Sequence, residues 1–478
     1  MKKTDYIILC VILLVGLTLR LYKIDTPLAD LHSFRQVDTA AVARNYARDG
    51  INLFRPVYDD ISNIQTGQEN PEGLRMVELP IYNALIAFFV RYLPIVSLEI
   101  YGRLVSVFFS LVSVAIMYYF ALKEKNRIAA IATASIYATF PYFVFFSRVV
   151  LPESMAVACM LLSLLLLSHG VKKKSKAQLL LVTIGAAFFA LSILIKPTTI
   201  FYGLTALYLF LVSYKFDVFK SWKPYYFFIL GLVPLVLWRI YIMQFPEGVP
   251  ASAWLLTTVN TFEGPKEIFF RPAFFRWMFM ERIGIAMLGV FGTFFFCMGI
   301  IGKYKRFFIH SIFASGMIYL FTFQGGNVQH EYYQTILFPA IALISGVGIA
   351  QVLELSAKQY NRFLIYPLVI LMLALSWFFS YYKVKDYYTY PQDLPRIAEL
   401  IKIFTSPDDK IVTDRLGDTT LLYLSDRKGA PAIYKSLPEL KDLGYRYLVT
   451  TNKELAASYK EAGYTAVVEN ELFTMILL

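Results

Sequence analysis

Apolar residues run in long unbroken stretches through most of the chain, and polar residues gather between them. Crossing a bilayer as a helix takes about 18–20 such residues. The first stretch extends from Tyr6 to about Leu21, with Lys2 and Lys3 before it and Arg20 and Lys23 at its end. Gly16, Leu17 and Thr18 make a poor signal-peptide cleavage site, so the pattern predicts a retained anchor. Ten more stretches lie near 104–122, 127–146, 154–169, 178–195, 198–213, 225–242, 283–302, 308–323, 335–352 and 363–381. The expectation is therefore an all-α polytopic membrane protein with about eleven spans. Leu79–Leu93 stands apart: its roughly fifteen residues, with Glu78 and Pro80 at one end and Arg91 at the other, suit an interfacial or re-entrant helix better than a crossing.

Beyond Lys383 charged residues return and the periodicity alternates. Helices are expected at Leu394–Phe404, Leu437–Leu443 and Lys453–Ala462, with strands at Lys410–Asp414, Tyr445–Thr450, Thr465–Glu469 and Phe473–Leu477. This predicts two domains. Residues 1–382 form the membrane part, including a long loop at 22–102 with interfacial helices, and residues 383–478 form a small α/β domain.

Composition narrows the class. The chain is 57% hydrophobic and only 17% charged, against roughly 45–50% and about 25% in soluble domains. That excludes a disordered, collagen-like or nucleic-acid-coating protein and argues against a soluble enzyme. The net charge of +12 has a topological reading. Basic clusters at Lys2–Lys3, Lys123–Arg127, Lys172–Lys176, Lys215–Lys223, Lys303–Arg306 and Lys358–Arg362 fall at alternate loops, provided Leu79–Leu93 does not cross. By the positive-inside rule the amino terminus is then cytoplasmic and the carboxy-terminal domain lies outside. Cys10, Cys159 and Cys297 all sit in apolar runs, which fits neither a disulfide framework nor a zinc site.

With that parity, the polar groups of five loops reach one face: 22–102, 147–153, the turn at Lys196, 244–282 and 324–334. Ionisable residues at membrane edges mark function more often than surface charges do. In the first loop Asp38 stands at the expected start of a helix, where a carboxylate also caps free amides. Arg148 and Glu153 flank the shortest turn, and each also reads as an interfacial pair that snorkels to water. Lys196, Arg271, Arg276 and His330 share the same face, with Tyr332 and Tyr333 in an aromatic belt. Such a set suits an anionic head group held by cations while one carboxylate acts as base.

These pieces, in order, resemble the membrane-embedded GT-C glycosyltransferases, in particular the bacterial branch related to protein O-mannosyltransferases and to lipid A aminoarabinose transferase. The resemblance covers about residues 1–385. It rests on His32–Asn45 around Asp38, Glu78 to Tyr82, Gly102–Leu104, Ser147–Arg148 with Leu151–Glu153, Lys196–Pro197 and His330–Tyr333. It implies that Asp38 is the catalytic base, that the donor is a polyprenyl-phosphate-linked sugar and that the anomeric carbon inverts. Many members carry a second acid directly after the first, where this chain has Thr39; a lysine of the aminoarabinose transferases is replaced by Glu78. The expected function is sugar transfer, hexosyl or pentosyl, to a hydroxyl of a lipid, glycan or protein acceptor on the outer face of the cytoplasmic membrane. Arg35, Glu78, Arg148, Glu153, Lys196, Arg271, Arg276, His330, Tyr332 and Tyr333 are the substrate-binding candidates. No metal ligands are assigned and no cofactor is certain, with a divalent metal left open. The partners are the donor, the acceptor and membrane lipids, with no nucleic acid; a lipid or sugar flippase is the alternative.

Overall fold

The structure is a computed structural model that describes residues 1–171, 176–251, 271–356 and 360–478. Residues 172–175 of one basic cluster, Lys358 and about half of the 244–282 loop lie outside the described residues. The chain forms two compact units. One comprises Met1–Ile24, Arg103–Trp238 and residues 252–387; the other comprises Asp25–Gly102, Arg239–Ala251 and Tyr388–Leu478. The long first loop thus shares a unit with the carboxy-terminal sheet.

Among the described residues seven helices are long and apolar enough to cross a membrane, or eight if one bent pair counts as a span. This is a multi-pass membrane protein. The count is lower than eleven because the remaining runs form shorter or more charged helices. Lys3–Arg20 carries Lys3, Asp5 and Arg20, Arg127–Thr139 stops before Pro141, and Phe308–Thr322 has 15 residues. The run near 283–302 is not straight: Pro272–Met287 and Gly292–Ile300 meet at a bend of 119°. Gly289 and Val290 adopt left-handed φ values of 57° and 66° there, which stops the helix. Ile81–Tyr92 is a helix of 12 residues, about 18 Å long and too short to span.

Arginine closes the helix ends of this first unit. The break at Phe140 leaves carbonyls without intrahelical donors. Arg20 Nη1 donates to the Ala138 carbonyl at 2.8 Å, its Nη2 to that of Tyr137 at 2.9 Å and its Nε to Ser147 Oγ at 2.8 Å. Arg20 is buried completely.

The second unit is built on a five-stranded sheet of β1 (Lys410–Thr413), β2 (Gly429–Ala430), β3 (Tyr445–Thr450), β4 (Ala466–Glu469) and β5 (Thr474–Leu477). The spatial order is β2-β1-β3-β5-β4, with β1 parallel to both neighbours and β5 antiparallel to β3 and β4. Leu394, Ile397 and Ile401 of the helix Asp393–Phe404 pack on one face against Ile411, Val449 and Met475. Leu437 and Leu440 cover the other with Val412, Leu448 and Ile476. The expected strands and helices are present, and the helix Thr420–Ser425 and strand β2 are additional.

Two backbone bridges fix the first loop within this unit. Ile61 N–H donates to the Gly429 carbonyl and Gly429 N–H to that of Asp59, both at 2.9 Å, so residues 59–61 extend the sheet beside β2. A side chain at Gly429 would place its Cβ 1.9 Å from the Ile411 carbonyl oxygen, so only glycine lets the strands approach. Farther along, Tyr58 N–H donates to the Gly73 carbonyl at 2.8 Å and Arg75 N–H to that of Pro56 at 2.9 Å. Gly73 has φ +72°, a conformation that favours glycine.

Candidate active site

The helix carrying Asp38 runs from Ser33 to Asp49, between His32 at φ 58° and Gly50 at φ 105°. It therefore starts five residues before Asp38, with good helix formers Ala40, Ala41 and Ala43 following. Asp38 is not a cap. Its carboxylate is 2% exposed and lies 2.8 Å from Arg75 Nη2, and its Oδ1 accepts from Thr419 Oγ1 at 2.6 Å. Arg75 is held in turn by Gln65 Oε1 at 2.6 Å and by the Tyr58 ring, 4.9 Å beneath the guanidinium. The Tyr58–Gly73 bridge supplies that stacking, because it sets residues 56–58 alongside 73–75.

A second acid adjoins this group. Asp60 is completely buried. Its Oδ1 accepts from Ser62 N at 2.9 Å and Ser62 Oγ at 2.6 Å, and Tyr58 OH stands 3.4 Å from its Oδ2. Burial pushes the Asp60 carboxyl up to about 6, with the Asp38 charge adding to the rise and the Ser62 hydrogen bonds and Arg75 opposing it. Asp59 is also raised, first by burial, while Arg44 pairs with it and pulls the other way. Beside these acids, Arg35 Nη2 reaches both oxygens of Glu78 at 2.9 Å, with both side chains largely buried. Thr39, where the resembling family often has an acid, donates its hydroxyl to the Arg35 carbonyl at 3.0 Å.

The first unit holds the other candidates. Glu153 opens the helix Glu153–Gly170 directly after Pro152, and Lys196 follows the helix Lys176–Ile195 directly before Pro197. The two helices pack together, and Lys196 Nζ meets Glu153 Oε1 at 2.8 Å, the side chains 6% and 2% exposed. The Tyr333 ring centroid is 5.3 Å from the same ammonium. His330 stacks on Tyr332 and Tyr333 at 5.4 and 6.2 Å, and the two phenol rings stack at 4.8 Å. Glu331 pairs with Arg282. Arg148 is buried, and its Nη2 donates to the Lys23 carbonyl at 2.8 Å.

The structure thus gathers Glu153, Lys196, His330, Tyr332 and Tyr333 in one cluster. It does not bring the Arg271 and Arg276 pair into it by any described contact. Arg276 pairs at 3.0 Å with Glu281 and is 71% exposed, and Arg271 precedes the short helix Pro272–Phe275. Sequence reasoning missed Arg75, Tyr58, Asp60, Thr419 and Arg282. The Asp59–Asp60 doublet in the first loop was a visible signal; Thr419, 381 residues from Asp38, gave none. Among the described residues no group of three or more His, Cys, Asp or Glu side chains is placed to hold a metal ion.

The fold is similar to those of solved GT-C glycosyltransferases, and the matches support the resemblance read from the sequence. ArnT from Cupriavidus metallidurans, solved with undecaprenyl phosphate, superposes with a TM-score of 0.69 at 13% identity, over 100% of this chain and 98% of that one. The oligosaccharyltransferase AglB from Archaeoglobus fulgidus, in complex with an inhibitory peptide and a dolichol-phosphate, gives 0.59 at 10% identity over 96% and 70%. The mycobacterial arabinofuranosyltransferase AftD gives 0.58 at 14% identity, over 98% of this chain and 41% of that one. Residues 80–241, about a third of the chain, match the model of the dolichyl-phosphate-mannose-protein mannosyltransferase family. No curated protein matches the chain in sequence.

Proposed function

We propose that this protein is a membrane glycosyltransferase that moves a hexosyl or pentosyl unit from a polyprenyl-phosphate donor to a hydroxyl of a lipid, glycan or protein acceptor, with inversion. Transfer takes place on the outer face of the cytoplasmic membrane, with the amino terminus in the cytoplasm and the sheet unit outside. The observation that carries this reading is the likeness in fold, over the whole chain, to an ArnT solved with undecaprenyl phosphate.

Asp38 takes the acceptor hydroxyl proton as that oxygen attacks the anomeric carbon and the carbon–phosphate-oxygen bond breaks. A well-placed base contributes about 10²–10⁴-fold. Arg75 and Thr419 fix the carboxylate in one orientation, which keeps the reacting geometry narrow. Charge builds on the departing lipid phosphate and needs cations in a dry setting. Within the first unit, Lys196, paired with Glu153 and beside the Tyr333 ring, is suited to hold an anionic phosphate. Arg35 with Glu78, and His330 with Tyr332, orient sugar or acceptor hydroxyls.

Proteoliposomes loaded with radiolabelled polyprenyl-phosphate sugars and incubated with envelope acceptors test the proposal. The label is expected to leave the polyprenyl pool and enter a covalent product. Label that crosses the bilayer yet stays on the polyprenyl lipid would identify a flippase instead.

A further inference from the structure

A cavity of about 380 Å³ lies in the membrane unit, lined by Tyr119, Lys123, His169, Tyr208, Lys305 and Arg306 among others. His169 stands in the same helix as Glu153, sixteen residues on, so this cavity is about 24 Å along the helix from the Lys196 cluster, at the opposite end. It is a separate place with its own chemistry, and its volume falls within the usual range of ligand pockets, about 300–1,000 Å³.

Cations at span ends are ordinary when they reach into water. Here their backbone is fixed around a hollow. Lys123 closes the helix Leu98–Glu124. The Lys305 N–H donates to the Glu124 carbonyl at 3.3 Å and its Nζ to the Lys123 carbonyl at 3.2 Å, which ties the 303–307 turn to that helix end. The Phe307 N–H donates to Tyr208 OH at 3.0 Å, so the same turn is also tied to the helix Gly203–Tyr214. On the facing wall His169 Nδ1 donates to the Leu165 carbonyl at 2.9 Å, which leaves its Nε2 to accept from Tyr119 OH at 2.9 Å. The Lys123 ammonium lies 5.6 Å from the Tyr119 ring centroid. Among the described residues that line the cavity, three cations and one carboxylate, Glu124, converge with phenol and imidazole groups.

We propose that this cavity binds a phosphate group, carried by the head of an anionic membrane lipid. Phosphate offers several acceptor oxygens around one centre, which matches an arginine and two lysines arriving from different segments. Basic pockets between transmembrane helices are suited to such head groups.

The test uses the full chain in nanodiscs of phosphatidylcholine doped with phosphatidylglycerol, with retained lipid measured by native mass spectrometry. Phosphatidylglycerol is expected to be retained over phosphatidylcholine. The Lys305→Gln/Arg306→Gln double variant should weaken that retention by about tenfold or more, while Arg306→Lys keeps most of it. Lys305 and Arg306 are exposed, and melting curves matching the parent's show that the variants fold before lipid retention is compared. A parallel titration with inorganic phosphate distinguishes the sources: displacement of the lipid at millimolar phosphate supports phosphate recognition from the aqueous side. Equal retention of both lipids, or unchanged retention in the double variant, overturns the proposal.

Discussion

Replacing Arg75 by glutamine probes how the buried Asp38 carboxylate is held. Its Nη2 lies 2.8 Å from Asp38 Oδ2, and the two side chains are 11% and 2% exposed. At an effective dielectric near 20 a unit-charge pair at that separation attracts by about 6 kcal/mol. Desolvation offsets much of this, and breaking such a pair by removing one partner typically costs about 3–5 kcal/mol, because the remaining charge stays buried. In the Arg75→Gln variant the Asp38 carboxylate stays buried, with its Oδ1 still accepting from Thr419 Oγ1. Thermal unfolding in detergent should therefore show a loss of about 3 kcal/mol. The Asp38→Asn/Arg75→Gln double variant, with neither charge of the pair left, should recover most of the loss. Equal unfolding of Arg75→Gln and the parent, or a double variant as unstable as the sum of the singles, refutes the argument.

Two other outcomes follow from the same electrostatics. Burial raises the Asp60 pKa from the usual carboxylate range to about 6, so this carboxyl costs about 3 kcal/mol of stability once ionised, and stability falls from pH 4 to pH 6 on its account. Asp60→Asn keeps the shape and the Ser62 hydrogen bonds and should raise the unfolding temperature at pH 7.5 while flattening the pH dependence, read by a pH series of melting curves. Glu153→Gln removes the charge paired with Lys196 at 2.8 Å and should destabilise by about 3 kcal/mol, with Glu153→Gln/Lys196→Met restoring much of it in the same assay.

Much of the architecture was legible because bilayers and sheets impose simple periods. The 18–20-residue length rule identified the long helices, and the short length of Ile81–Tyr92 set it apart from them. Strand Tyr445–Thr450 carries apolar residues bounded by Gly444 and Asn452, and it formed as expected. Local signals failed where tertiary context decides. The helix around Asp38 begins at Ser33, and residues 35–43 are all buried, so its start carries no amphipathic edge. The bend near Gly289 is a backbone event inside an apolar run that looks continuous by hydropathy. The candidate site was legible in its types and not in its pairings. Asp38, Lys196 and Glu153 stand out as polar residues in or beside apolar sequence. Arg75 sits in an aperiodic loop and reaches Asp38 only through the Tyr58–Gly73 bridge, and Thr419 comes from the far end of the chain.

The most direct measurement of the central claim is the transfer rate of purified Asp38→Asn with a polyprenyl-phosphate sugar donor and its acceptor, after circular dichroism and melting curves show it folded. Loss of the base predicts a rate lower by about 10²–10⁴-fold with donor binding retained. Sugar transfer by that variant at the parental rate would contradict it.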